Sequence, residues 1–87
     1  MTTAQIVVTV RYFAAAQAAA GIETEMLRMV ADTTVGDLVA QLGTGRAELA
    51  KVLARCSFLR DGVAVRSPDE RLTTTRTFDV LPPFAGG

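Results

Sequence analysis

The spacing of apolar residues along the chain switches between period two and period 3.6, and each switch marks a change of element. Residues 6 to 13, Ile-Val-Val-Thr-Val-Arg-Tyr-Phe, are β-branched and aromatic. Ile6, Val8, Val10 and Tyr12 make a continuous apolar face, with Val7, Thr9, Arg11 and Phe13 opposite, which predicts a half-buried first strand. Ala14 to Ala20 is a run of strong helix formers closed by Gly21, enough for one or two short turns before the chain reverses. Residues 24 to 30 read as a second strand in which Met26-Leu27 interrupts the alternation and leaves the register open.

Thr34-Val35-Gly36-Asp37 has capping-box spacing, so the Thr hydroxyl and the Asp three residues on can satisfy orphan N–H groups at a helix start. Val35, Leu38, Val39 and Leu42 then form one apolar helical stripe ended at Gly43. After Gly43-Thr44-Gly45 comes a second stripe, Leu49, Val52, Leu53 and Cys56, with Arg46, Glu48, Lys51 and Arg55 off it. The pair predicts a helix and its continuation, both lying on a sheet. From Ser57 the period returns to two. Phe58-Leu59-Arg60 and Val63-Ala64-Val65 flank Asp61-Gly62, a hairpin signal because both residues accept the positive φ of a tight turn. Ser67-Pro68-Asp69 predicts a further turn, and Leu72 a plug for the core beneath the polar connection. Thr77 to Leu81 is the last strand, with Phe78 and Val80 on one face and Thr77, Asp79 and Leu81 on the other. The order β, β, α, β, β, β predicts one sheet covered by helix on one face, an α+β domain over residues 1–81, with residues 82–87 as an extended tail.

Composition narrows what such a domain can do. Its 87 residues are 49% apolar but only 6% aromatic, so Val, Leu, Ile and Ala must supply the core. Nine basic residues balance nine acidic ones without a basic run, which removes the footprint of a nucleic-acid binder. No stretch approaches a membrane span and no export signal precedes the first strand, so a cytoplasmic protein is expected. Histidine is absent and Cys56 is the only cysteine, which excludes Ser-His and Cys-His nucleophile pairs, a structural zinc and an intrachain disulfide. Cys56 is expected to be a small buried apolar side chain, and the acidic pairs Glu23/Glu25 and Asp69/Glu70 to be solvated surface.

The ending is the chemically distinctive part. Pro82-Pro83-Phe84-Ala85-Gly86-Gly87 closes on two glycines, an ending that average composition gives only about 0.5% of the time. A terminal Gly places no Cβ beside the carboxyl carbon, so this acid can enter a narrow site and be attacked from either face. Pro82-Pro83 ends strand pairing and stiffens the segment beyond it, and the four residues after the pair reach roughly 13 Å when extended. The expectation is a tail that threads a partner's cleft, with Gly87 as the reactive group. On the outer sheet face, Phe13 and Leu81 fall off the inward parity, and with Pro83 and Phe84, and with Val63 or Val65 from the hairpin, they are expected to form the hydrophobic contact with that partner.

Val10-Arg11-Tyr12-Phe13-Ala14 with its Ala-rich turn and Gly21, the Thr34-Val35-Gly36-Asp37-Leu38 helix start, Asp61-Gly62, and the whole segment Val80 to Gly87 resemble the small subunit of molybdopterin synthase, of the MoaD/ThiS family. The resemblance spans essentially the whole chain, and Pro-Pro-x-x-Gly-Gly is its specific part. Two loops depart from it. Thr73-Thr74-Thr75-Arg76 stands where the family usually has a Gly-Asp turn, and Arg60-Asp61-Gly62 stands where an Asn-containing turn is common. The resemblance implies a β-grasp, ubiquitin-like fold whose C-terminal Gly87 is adenylated by an E1-like, ATP-using enzyme and converted to a thiocarboxylate. That sulfur would pass, inside the synthase large subunit, to a cyclic pyranopterin precursor. It implies no metal or cofactor bound by this chain, with ATP used by the activating partner. Sulfur carriers for thiamine or cysteine synthesis, ubiquitin-like protein modifiers and a plain interaction module are the alternatives. Arg11-Tyr12-Phe13-Ala14 and Pro82-Pro83 favour the pterin pathway, and the single Lys51 disfavours chain-building conjugation.

Overall fold

A computed structural model describes residues 4–83. The first strand, β1 (Gln5–Tyr12), is followed by α1 (Ala14–Ala20), which Gly21 closes. Strand β2 (Thr24–Val30) runs back antiparallel to β1, with Val8 opposite Leu27 and Thr9 opposite Met26. That pairing settles the register: Glu25, Leu27 and Met29 face inward, and Met26 faces out at 70% exposure. Helices α2 (Val35–Gly43) and α3 (Ala47–Leu53) come next, then β3 (Ser57–Arg60), β4 (Val63–Ala64) and β5 (Thr77–Leu81). The five strands lie in the order β2-β1-β5-β3-β4. Strand β5 enters between β1 and β3, parallel to β1 and antiparallel to β3, so the last strand completes the centre of the sheet.

One face of the sheet carries the core. Val8, Val10 and Tyr12 of β1 and Phe78 and Val80 of β5 meet Val35, Leu38 and Leu42 of α2 and Leu49 and Leu53 of α3. The predicted stripes therefore hold, with Val39 and Val52 half-buried at their margins. Helices α2 and α3 are separate elements. They approach closely at Gly43, where a Cβ would sit 3.1 Å from Ala50 Cβ and 3.3 Å from Ala50 Cα. Cys56 departs from expectation. Helix α3 ends at Leu53, so Cys56 lies beyond it, half-buried against the core, with its thiol donating to the Val52 carbonyl at 3.2 Å. Burial raises the thiol pKa, which suits an inert side chain.

The start of α2 is tied to the polar connection between β4 and β5. Thr34 Oγ1 accepts the Asp37 N–H at 3.1 Å, while the Val35 and Gly36 N–H groups donate to the carbonyls of Glu70 and Pro68. Orphan donors of the first turn are thus satisfied from two sides. Leu72 is fully buried, as its isolated apolar character predicts. Asp61 (φ 47) and Gly62 (φ 82) make the β3–β4 turn, and the Asp61 carboxylate also accepts the Arg76 and Thr77 N–H groups.

Candidate functional site

Because β1 and β5 are parallel neighbours, their C-terminal ends emerge at the same end of the sheet. Phe13 comes directly after β1 there and Leu81 closes β5, so the register Tyr12↔Val80 carries Phe13 next to Leu81 on the outer face. The Phe13 N–H donates to the Val80 carbonyl at 3.2 Å, which extends the ladder by one step. Phe13 is 39% exposed and Leu81 half-buried. Pro82 and Pro83 leave the sheet at this point; lacking N–H groups, they cannot continue it. They line an open groove of about 710 Å³ together with Ala15, Val52, Glu48, Lys51 and Arg55. Phe84, Ala85, Gly86 and Gly87 lie outside the described residues.

The hairpin residues sit elsewhere. Val63 pairs with Arg60, which pairs with Phe78, so Val63 and Val65 follow the inner parity rather than that of Phe13 and Leu81. Val63 is 67% exposed past the edge of the helical layer, and Val65 packs against the core. The residues expected to share one patch therefore divide: the fold brings Phe13 and Leu81 to one end of the outer face and leaves Val63 and Val65 on the other side.

Beside Phe13, Arg11 holds Asp79 with two bonds, Nε to Oδ1 at 2.6 Å and NH2 to Oδ2 at 2.8 Å, and its guanidinium stands 5.8 Å from the Phe13 ring centroid. The hydrogen bond and charge of Asp79 raise the Arg11 pKa. This fork fixes β1 against β5 on the outer face and supplies the side wall against which Phe13 rests. Sequence reading misses it, because only the β1–β5 pairing places Arg11 opposite Asp79; the available signal is a lone acid between the apolar residues Phe78 and Val80.

The acidic pairs divide in the same way. Glu23 is exposed, but Glu25 accepts from Tyr12 at 2.5 Å and from Arg46 at 3.0 and 3.2 Å. Burial pushes its carboxyl up, yet the bonds from Arg46 and Tyr12 outweigh this and leave it below the usual carboxylate range. Burial, then the bond to Glu25, raises the Tyr12 phenol. Asp69 is exposed, whereas Glu70 accepts from the Arg66 and Ser67 N–H groups at 2.6 and 3.0 Å and from Arg60. The backbone bond from Arg66 leads in lowering its pKa. Glu25 and Glu70 are thus structural hubs, not solvated surface. Among the described residues no group of three His, Cys, Asp or Glu side chains could hold a metal ion, and no helix is long and apolar enough to cross a membrane.

No curated protein matches the chain. Among solved structures it is similar to SAMP1 from Haloferax volcanii, with 25% identity and a TM-score of 0.78 over 93% of this chain and 99% of that one. It resembles one chain in the protein–protein complex of subunits 1 and 2 of molybdopterin-converting factor from Helicobacter pylori, at 21% identity and TM-score 0.69 over 94% of this chain and 100% of that one. It also resembles the ubiquitin of Caldiarchaeum subterraneum, at 15% identity and TM-score 0.64 over 97% of this chain and 100% of that one. These likenesses establish the ubiquitin-like β-grasp fold expected from the sequence. The ThiS family matches residues 10–87, from the middle of β1 through Gly87, and the chain therefore belongs to the ThiS family.

Proposed function

We propose that this chain is a sulfur carrier that loads Gly87 as a thiocarboxylate and delivers the sulfur to a cyclic pyranopterin precursor, as the small subunit of a molybdopterin synthase. A carboxylate resists nucleophilic attack because of its charge and resonance. In the proposed cycle a partner lets a Gly87 carboxylate oxygen attack the α-phosphorus of ATP, releasing pyrophosphate, and sulfide delivered by a donor then attacks the acyl carbon, displacing AMP and a proton and leaving the thiocarboxylate. The acid and base groups belong to the partners, consistent with a chain that has no His. The observation that carries the reading is the family match running through Gly87, on a chain whose β5 leads directly into Pro82-Pro83 beside Phe13 and Leu81, one step past the Tyr12↔Val80 register. In this reading Phe13, Leu81, Pro82, Pro83 and Phe84 meet the large subunit, while Ala85, Gly86 and Gly87 enter its pocket. The structural likeness to a two-subunit converting-factor complex supports a partner of that kind. Val63 and Val65 lie off this contact and are not included.

Intact-mass measurement after incubation with an E1-like adenylating enzyme, ATP and a sulfur donor tests the carrier chemistry. The expected result is exchange of one oxygen for sulfur at Gly87. Removing Gly86-Gly87 abolishes that exchange and leaves the melting temperature unchanged, since the core is complete within residues 4–83. Absence of any sulfur-bearing species overturns the carrier reading. Capture of the synthase large subunit, weakened by Phe13→Ala and Leu81→Ala, selects the pterin pathway over thiamine or cysteine synthesis. A second reading rests on the likeness to SAMP1, a small archaeal modifier protein: attachment of Gly87 to a target lysine through an amide. Gly87 found in isopeptide linkage, without a thiocarboxylate, selects it.

A further inference from the structure

Phe13 is exposed, yet three separate features hold it in place. Its backbone is fixed on both sides: the N–H donates to the Val80 carbonyl at 3.2 Å, and the carbonyl accepts the Ala16 and Gln17 N–H groups at 3.0 and 3.4 Å. Directly after it the chain turns through Ala14 at φ 49, a left-handed conformation disfavoured for any residue with a Cβ. Its ring lies beside the Arg11 guanidinium, whose central carbon stands 5.8 Å from the centroid. Arg11 is itself fixed, because the Asp79 carboxylate takes Nε at 2.6 Å and NH2 at 2.8 Å. A planar guanidinium held by two bonds keeps one orientation and gives the ring a fixed neighbour. The fork is thus rooted in a buried acid on the central strand β5 and ends at the surface on Phe13. Local strain of the kind seen at Ala14 persists only where the surroundings impose it, and it gathers at functional sites.

We propose that Arg11 and Asp79 are positioning residues that act through Phe13, their fork orienting the ring in advance for the partner that receives the tail. The inference rests on the reading of Phe13 as part of the large-subunit contact. An aromatic anchor contributes most when it is ordered before binding, since each side chain immobilised on association costs affinity. Here the ordering is made on folding, by a pair that joins the strand leading into Phe13 to the strand leading into Pro82-Pro83. The register Arg11↔Asp79 lies one row below Phe13 and Leu81 on the same face, so one fork sets the ring and the tail exit in a common frame. Lysine cannot replace Arg11, because an ammonium carries the charge without the planar fork or a face to set against the ring. Ala14 adds to the same function by fixing the direction in which the chain leaves Phe13. Glycine there relieves the strain and frees the backbone, and, because Ala14 is exposed, it removes no core packing.

Binding of the full chain to the synthase large subunit, with a melting temperature recorded for every variant, tests the proposal. Arg11→Ala and Arg11→Lys each weaken binding by about fivefold. Adding Arg11→Ala to Phe13→Ala costs less than about twofold further, because the fork acts through the ring. Ala14→Gly separates positioning from stability: the melting temperature holds or rises, and binding still weakens. In the free chain, nuclear Overhauser contacts join the Arg11 side chain to the Phe13 ring, and Asp79→Ala removes them. Additive losses from Arg11→Ala and Phe13→Ala, full affinity in Arg11→Lys, or losses that track the melting temperature across the series overturn the proposal. If the unaltered chain binds no large subunit, the pterin reading falls and the free chain decides the positioning role. Contacts between Arg11 and the ring that survive Asp79→Ala overturn that role, and their loss sustains it.

Discussion

At the scale of single residues, two side chains show how position decides cost. Thr73 occupies the left-handed region at φ 48, which a β-branched residue enters only under strain. Relief of about 1–2 kcal/mol, less the roughly 0.5–1 kcal/mol of extra chain entropy that Gly loses on folding, predicts that Thr73→Gly stabilises the fold by about 0.5–1 kcal/mol in urea unfolding. Glu25 makes the opposite case, a charge held in place by partners. Its carboxyl is depressed in the folded state, so its contribution is present above the ordinary carboxylate pKa and is lost as pH falls through the folded value. Glu25→Gln therefore lowers stability by about 1 kcal/mol at neutral pH and flattens the acid limb of a melting-temperature profile. Neither site is legible from spacing alone: Glu25 has the pattern of an exposed acid until the fold sets Arg46 and Tyr12 against it.

Among elements, α2 is the clearest in the sequence, because its cap and stripe are local signals. Thr34→Ala removes the bond to the Asp37 N–H and is expected to cost about 1 kcal/mol, measured by chemical denaturation. The carbonyls of Glu70 and Pro68 still serve Val35 and Gly36, so the helix shortens without melting. The α2–α3 break is equally visible, though the close approach at Gly43 is not. Periodicity leaves the register of β2 open, because Met26 and Leu27 are both apolar and spacing cannot rank them. Pairing with β1 ranks them: Leu27 opposes Val8 and packs against the core, while Met26 opposes Thr9 and stays outside. Cys56 fits the helical spacing, yet α3 stops three residues earlier, so periodicity overruns the element.

For the molecule as a whole, the irregular connection between β4 and β5 behaves as part of the core. Leu72→Ala is expected to cost about 2–5 kcal/mol, a large share of the roughly 4–13 kcal/mol typical of a chain this long. A near-neutral outcome in thermal melting would show that the connection is dispensable. By itself the sequence determined the elements, the inward faces of β1 and β5, the caps and turns, and the Gly-Gly ending, because each depends on residues within a few positions of one another. Tertiary structure alone decided what lies side by side. Inserting β5 parallel to β1 joined Arg11 to Asp79 and brought Phe13 to the same end of the outer face as Leu81 across nearly seventy residues of chain, separated Val63 and Val65 from them, and left β2 as an open edge. Strand order is a long-range property, set by which faces can be buried together, and no local spacing encodes it.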